Sequence, residues 1–250
     1  MKRLFWALEA PTDEGIPATL RIDGEIADDD AAWWYGPDGA TYPAAFRQAL
    51  DTLEGDLIVA INSPGGDVIA ASCIYTALRE YAGQGHKVTV RVEGWAASAA
   101  SVVAMAGDEV QMAPTAYLMI HDPWTFASGN AQEMRECGEM LDEIARGIVE
   151  AYHTKTGMSR AHIRELMQAE TWMSAPKAVK LGFADVVLYQ DGSKAGADDS
   201  DGTAMQARAA VDRVMARIRA HARGDASVGA QDNAAENDKQ RQLLKLLAAI

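Results

Sequence analysis

Two serines lie three residues apart in GWAASAAS, residues 94–101. A serine hydroxyl becomes an effective nucleophile only when a base takes its proton and N–H donors hold the oxyanion that forms. Ser98 suits this chemistry better than Ser101, because it begins a predicted helix, where backbone N–H groups lack partners. Ser101 lies one turn deeper and is expected to pack and to satisfy a nearby carbonyl. Taken alone, the run favours a small helix packed tightly against a sheet.

A base for Ser98 has to come from elsewhere in the chain. His121 ends the apolar run YLMIH, residues 117–121, at the carboxyl end of a predicted strand, where the sites of parallel sheets collect. A purely structural histidine would give the same pattern. The remaining histidines fall in a turn or on helical patterns with polar neighbours, and are predicted to be surface groups: His86, His153, His162 and His221.

A glycine-rich segment, NSPGGD at residues 62–67, follows another predicted strand. Adjacent glycines let backbone N–H groups approach a ligand without side chains in the way. This segment is therefore a candidate for half of an oxyanion hole, and an ordinary strand-to-helix turn is the alternative.

The elements that would position these residues follow from the alternation of apolar runs and helical patterns over residues 18–189. This alternation predicts an α/β fold with parallel strands joined by crossover helices. Strands are predicted at residues 56–62, 87–94 and 117–121. Helices are predicted at residues 68–81, 96–106 and 131–156, followed by one capped by Ser159 and ending at Gln168 and one capped by Ser174 and ended by Gly182.

Composition limits the function classes. The 250 residues are 48% hydrophobic and 24% charged, which predicts one main domain with an appendage. A net charge of −13 argues against nucleic acid and anionic membranes as partners. Cys73 and Cys137 are expected to be reduced and buried in a cytoplasmic protein, and no signal peptide is predicted. Residues 190–203 are predicted to be a flexible acidic linker, and residues 204–250 a helical or partly disordered tail.

Four blocks of the sequence carry a family resemblance: INSPGGDVIAASCIYTAL, EGWAASAAS, YLMIHDPW and ETWMSAPKAVKLGFAD. In this order and spacing they resemble the proteolytic subunit of the Clp protease (ClpP), and within it the Clp-like peptidases of phages and prophages. The resemblance runs from about residue 20 to residue 188. It implies a ClpP-like serine peptidase domain at residues 1–189 with the crotonase-like superfold of repeated strand–strand–helix units, assembled into rings, with the long helix at residues 131–156 as an interface.

The resemblance also implies roles for individual residues. Ser98 is the expected nucleophile and His121 the expected general base, while Gly66 and Ala99 supply oxyanion-hole N–H groups. Glu170 stands where the family usually has the aspartate that orients the histidine. The amino-terminal segment has no evident match to the axial loops of the family.

The leading hypothesis is therefore a serine endopeptidase that needs no cofactor and works inside a ring of six or seven subunits. The expected partners are polypeptide substrates, with an AAA+ unfoldase or capsid proteins as further possibilities if the chain acts in phage head maturation. An acyl-CoA enzyme on the same superfold is a second hypothesis, opposed by the coincidence of serine, histidine and glutamate. An inactive scaffolding protein is the third.

Overall fold

The structure is a computed structural model that describes residues 6–9, 17–36 and 39–189. The predicted linker, the predicted tail and His221 lie outside the described residues. In the described part of the chain, no helix is both long and apolar enough to cross a membrane.

A mixed sheet forms the centre of the fold. Its strands are β1 (Trp6–Glu9), β2 (Ala18–Ile26), β3 (Leu57–Gly66), β4 (Val88–Ala97), β5 (Glu109–Met112), β6 (Tyr117–Ile120), β7 (Thr171–Ser174) and β8 (Val186–Val187). They lie in the order β1-β2-β3-β4-β5-β8, and β6 pairs with both β4 and β7. The pairings β1–β2 and β6–β7 are antiparallel, and the others are parallel. The predicted α/β fold with a largely parallel sheet is confirmed.

Helices connect the strands and cover the sheet. They are α1 (Ala32–Tyr35), α2 (Pro43–Leu50), α3 (Val68–Gly83), α4 (Ala99–Ala104), α5 (Ala131–Thr156), α6 (Arg160–Gln168) and α7 (Ala175–Lys180). Helix α3 turns Ile74 and Leu78 into the core, and every residue of α4 is buried. Each fully buried aliphatic side chain of this kind contributes about 1.5–3 kcal/mol to folding. Because its residues are small, α4 can pack deep in the fold. The candidate nucleophile Ser98 lies immediately before its first residue.

Two strands extend further than predicted. Strand β3 continues through the glycine-rich segment to Gly66, which pairs with Ile26 of β2. Strand β4 continues to Ala97, because residues 95–97 pair with residues 117–119 of β6, so α4 begins at Ala99 and not at residue 96. The predicted helix start at residue 96 was therefore wrong, because strand pairing outweighs the helix propensity of alanine here. The alternative interpretation of the glycine-rich segment as an ordinary turn also fails, since the segment is paired as a strand.

The later helices follow the sequence closely. Helix α5 has the predicted bounds, with a capping box between Asn130 and Glu133 and Gly157 in the left-handed conformation at its end. Ser159 caps α6 by accepting a hydrogen bond from the His162 N–H. Ser174 occupies the N-cap position of α7 as predicted, but its side chain makes no capping hydrogen bond.

The predicted burial of the cysteines is wrong. Both thiols are free, but Cys73 is exposed and Cys137 is half-exposed. Helix α3 places the row containing Ile69 and Cys73 outward, and Ile69 is 57% exposed. The first half of α5, which carries Cys137, is also largely exposed, whereas its second half enters the core.

Candidate active site

Ser98 lies at the junction between β4 and α4. Its backbone has φ 54° and ψ −127°, a left-handed conformation that residues with a side chain rarely adopt. The Ser98 N–H donates to the carbonyl of Met119 in β6 over 2.9 Å. The nucleophile candidate is thereby anchored to the strand that leads to His121.

The structure brings Ser98 and His121 together. The Oγ of Ser98 lies 2.7 Å from Nε2 of His121, within hydrogen-bonding distance. Strands β4 and β6 are parallel neighbours, so their carboxyl ends, which carry the two residues, meet at the same edge of the sheet. His121 is half-buried there. This is the contact that a general base needs to take the proton of a serine hydroxyl.

Glu170 immediately precedes β7, and His121 immediately follows β6. Ile120 of β6 is opposite Thr171 of β7, so the two candidate residues flank the last pair of this antiparallel ladder. Glu170 has φ 47°, and its Oε1 accepts a hydrogen bond from the indole N–H of Trp172 over 3.3 Å. Asp122 follows His121 and is exposed. This register brings the backbone of Glu170 to the end of the sheet at which His121 lies.

The glycine-rich end of β3 runs directly beside the nucleophile. A methyl group on Gly65 would lie 2.8 Å from the Ala99 nitrogen and 2.6 Å from the Ala97 carbonyl oxygen, too close for any side chain. The Gly65 N–H donates to the Ser63 Oγ over 3.1 Å, which holds the segment in place. A side chain on Gly66 would overlap the carbonyl oxygen of Ile26.

The predicted oxyanion donors belong to these two segments. Ala99 is the first residue of α4, so its N–H has no acceptor within the helix. Gly66 is the last residue of β3, one residue beyond Gly65. The close approach of Gly65 to Ala99 therefore puts the two segments side by side, and Gly65 is the residue of this contact that the sequence did not single out.

The other described histidines do not form a second site. His162 is exposed, as predicted, and lies 3.2 Å from Glu165. His86 is half-exposed and packs on the ring of Tyr81, with the ring centroids 4.7 Å apart. His153 is half-exposed like His86 and donates from Nδ1 to the carbonyl of Met158 over 2.6 Å. Within the described ranges, no three His, Cys, Asp or Glu side chains converge to hold a metal ion.

Two buried residues, Ser101 and Tyr152, contact the candidate site from the core side, and neither was predicted to take part in it. Ser101 is fully buried, and its Oγ donates to the Ser98 carbonyl over 2.5 Å. The same Oγ lies 2.7 Å from the hydroxyl of Tyr152 in α5. The sequence indicated a partner for Tyr152 only indirectly, because a tyrosine on an apolar helix row has a hydroxyl that must be satisfied when it is buried.

Comparison with known proteins identifies the family. A family model described as Clp protease matches residues 48–191, which include Ser98, His121 and Glu170. The chain belongs to the Clp protease family. Its enzyme class, that of the serine peptidases, agrees with the expectation from the sequence.

Several Clp protease proteolytic subunits are similar to this chain. The ATP-dependent Clp protease proteolytic subunit of Deinococcus radiodurans is 29% identical over 148 residues, which cover 58% of this chain and 71% of that relative. The subunit of Ligilactobacillus salivarius is 29% identical over 171 residues, covering 68% and 82%. Proteolytic subunit 1 of Chlamydia muridarum is 32% identical over 138 residues, covering 53% and 70%.

Proposed function

We propose that this Clp protease family member hydrolyses peptide bonds by acyl transfer, with Ser98 as nucleophile, His121 as general base and Glu170 as the residue that orients the histidine. The observation that carries the proposal is the 2.7 Å separation of Ser98 Oγ and His121 Nε2. A scaffolding protein has no need of a reactive hydroxyl aligned with an imidazole at the edge of a sheet.

The proposed reaction proceeds in two stages. Ser98 Oγ attacks the carbonyl carbon of the substrate while His121 Nε2 takes the hydroxyl proton, and the negative charge moves to the carbonyl oxygen. The C–N bond then breaks, and the departing amine takes the proton from His121. Water attacks the resulting ester, His121 accepts its proton, and Ser98 regains that proton as the carboxylic acid leaves.

The oxyanion would be held by the N–H groups of Gly66 and Ala99. Ala99 lies at the amino end of α4, where the N–H groups of the first turn have no helical acceptors. Removing one donor of this kind from a serine protease lowers kcat about a hundred- to a thousandfold. The tight packing of Gly65 against Ala99 supports this assignment, since it leaves a backbone-lined surface beside Ser98.

Assembly into a ring is part of the proposal. The first half of α5 exposes Met134 and Met140, which are 37% and 49% accessible, and Phe126 just before the helix is 38% accessible. Apolar side chains repeated along one exposed helix support contacts with further copies. Rings of six and of seven subunits both fit the resemblance.

The proposed substrates are polypeptides. The relatives are described as subunits of ATP-dependent proteases, and an AAA+ unfoldase partner is proposed for this chain by that analogy. Cleavage of capsid proteins during phage head maturation stays a hypothesis drawn from the sequence resemblance, and the bacterial relatives named above lend it no support.

The deciding experiment is labelling with a serine-reactive fluorophosphonate, together with hydrolysis of a fluorogenic peptide. We expect the wild type to react and Ser98→Ala to lose both labelling and turnover while keeping its fold, because the change removes one small polar atom. Ser72→Ala, on the exposed face of α3, is the matched control and should behave as wild type. Absence of labelling in a folded, oligomeric wild type would favour the inactive scaffold.

A further inference from the structure

A short chain of hydrogen bonds links α5 to the backbone of the nucleophile. Tyr152 OH lies 2.7 Å from Ser101 Oγ, and Ser101 Oγ lies 2.5 Å from the carbonyl oxygen of Ser98. Ser101 is completely buried and Tyr152 is 1% exposed. The tyrosine ring packs against the ring of Phe183 in a T-shaped arrangement, with the ring centroids 5.5 Å apart.

The direction of both bonds is fixed by chemistry. A carbonyl oxygen only accepts, so the single hydroxyl hydrogen of Ser101 is committed to Ser98. The Tyr152 hydroxyl must then be the donor to Ser101 Oγ. Burial raises the pKa of Tyr152, so the phenol keeps the proton that it donates.

The Ser98 carbonyl shares a peptide plane with the N–H of Ala99. Because a trans peptide is planar, its C=O and N–H point in opposite directions, and fixing one fixes the other. The Ser98 carbonyl accepts from both the N–H and the hydroxyl of Ser101, over 2.9 Å and 2.5 Å. Two donors on this oxygen also polarise the peptide unit, which makes its N–H a stronger donor.

We propose that Ser101 and Tyr152 are positioning residues that aim the Ala99 N–H at the oxyanion of the transition state. The inference rests on the proposed peptidase function of Ser98. The same contacts stabilise the rarely adopted backbone conformation of Ser98. Ser101 of α4 and Tyr152 of α5 hold the peptide that follows Ser98 from the core side.

The sequence predicted only a packing role for Ser101, whereas the positioning role predicts that Ser101→Ala lowers kcat. Loss of a whole oxyanion donor costs about a hundred- to a thousandfold in kcat. In Ser101→Ala the Ala99 N–H remains but is oriented less firmly, so kcat should fall by less, on the order of tenfold. KM should change little, because the lost interaction stabilises the transition state and not the bound substrate.

The test compares Ser101→Ala, Tyr152→Phe and the double variant for kcat, KM and thermal unfolding. Ser101→Ala is expected to lose both kcat and stability, because it strands the buried Tyr152 hydroxyl. Tyr152→Phe should lose less kcat, since Ser101 still donates to Ser98. The double variant should regain stability, because both partners are gone, while its kcat stays as low as that of Ser101→Ala.

Matched controls are Tyr81→Phe and Ser72→Ala. Tyr81 is a buried tyrosine whose hydroxyl donates to the Gly55 carbonyl over 2.7 Å, and Ser72 donates to the Val68 carbonyl over 2.9 Å. Both variants should keep wild-type kcat. A kcat that recovers with stability in the double variant, or an unchanged kcat in Ser101→Ala, overturns the positioning role while leaving the peptidase intact. A wild type that neither turns over peptide nor labels at Ser98 overturns the peptidase and, with it, the positioning role.

Discussion

At the scale of single residues, Glu170 is the proposed site member that departs from the family resemblance. It stands where the resemblance implies an aspartate, so its carboxylate sits one methylene further from the backbone. It enters β7 with a left-handed φ of 47°, and its carboxylate accepts a hydrogen bond from the Trp172 indole. The longer side chain has to be accommodated by the backbone or by its rotamer.

Glu170→Gln tests the orienting role. It preserves the shape of the side chain but offers an amide donor in some orientations, which favours the wrong histidine tautomer. An aspartate-to-asparagine change in the triad of a serine protease lowers kcat about ten-thousandfold, and a more adjustable glutamate should lose about a hundred- to a thousandfold. Turnover of a fluorogenic peptide measures the effect, with Asp122→Asn as control. Wild-type turnover in Glu170→Gln and a collapse in Asp122→Asn would transfer the role to Asp122.

At this scale, some contacts of the candidate site could be predicted from the sequence and others could not. The contact between Ser98 and His121 was predictable, because Ser98 was expected shortly after one predicted strand and His121 at the end of another, and neighbouring parallel strands end at one edge of a sheet. The Ser101–Tyr152 contact was not, since the two residues are 51 positions apart and their pairing depends on how α5 packs behind α4. Likewise, nothing local marks Gly65 as the glycine in contact with Ala99.

At the scale of elements, α5 is buried at one end and exposed at the other. Its bounds were predictable because caps and apolar period agree along its length. The start of α4 was not, because the alanines before Ser98 have high helix propensity yet pair with β6 in the sheet. Assembly into a ring would explain why the exposed half of α5 carries apolar side chains, because subunit contacts would bury them.

Light scattering at micromolar concentration tests that explanation. The wild type is expected to be a ring-sized oligomer, and Met140→Glu should shift it towards smaller species. Each buried methionine contributes about 1.5–3 kcal/mol, and the substitution adds the cost of burying a charge. Ile69→Glu, at a comparably exposed apolar residue of α3, is the control and should leave the mass unchanged. A monomeric wild type would contradict the proposed ring.

At the scale of the whole molecule, the proposed chemistry is confined to the described body. Every proposed site residue precedes residue 190, and the Clp protease match ends at residue 191. The composition of residues 190–203 predicts a linker that added protease should cut without loss of peptidase activity. Mass spectrometry of the cleaved protein and its turnover of peptide check this. Resistance to cleavage, or activity lost on clean removal of everything after residue 190, would show that the tail docks on the body.

The backbone conformation of Ser98 is expected to lower the conformational stability of the protein at the proposed site of hydrolysis. A left-handed φ costs a residue with a side chain about 1–3 kcal/mol, a cost that glycine escapes. Ser98→Gly and Ser98→Ala both remove the hydroxyl, so their difference isolates the backbone. We expect the glycine variant to be more stable by about 1 kcal/mol after its greater unfolded-state entropy is subtracted, which raises the unfolding midpoint by about 2–4 °C. An alanine variant at least as stable as the glycine variant would show that the site carries no such strain. If the strain is present, selection for folding alone would favour glycine at residue 98, and the proposed peptide hydrolysis would be the reason that a serine is kept there.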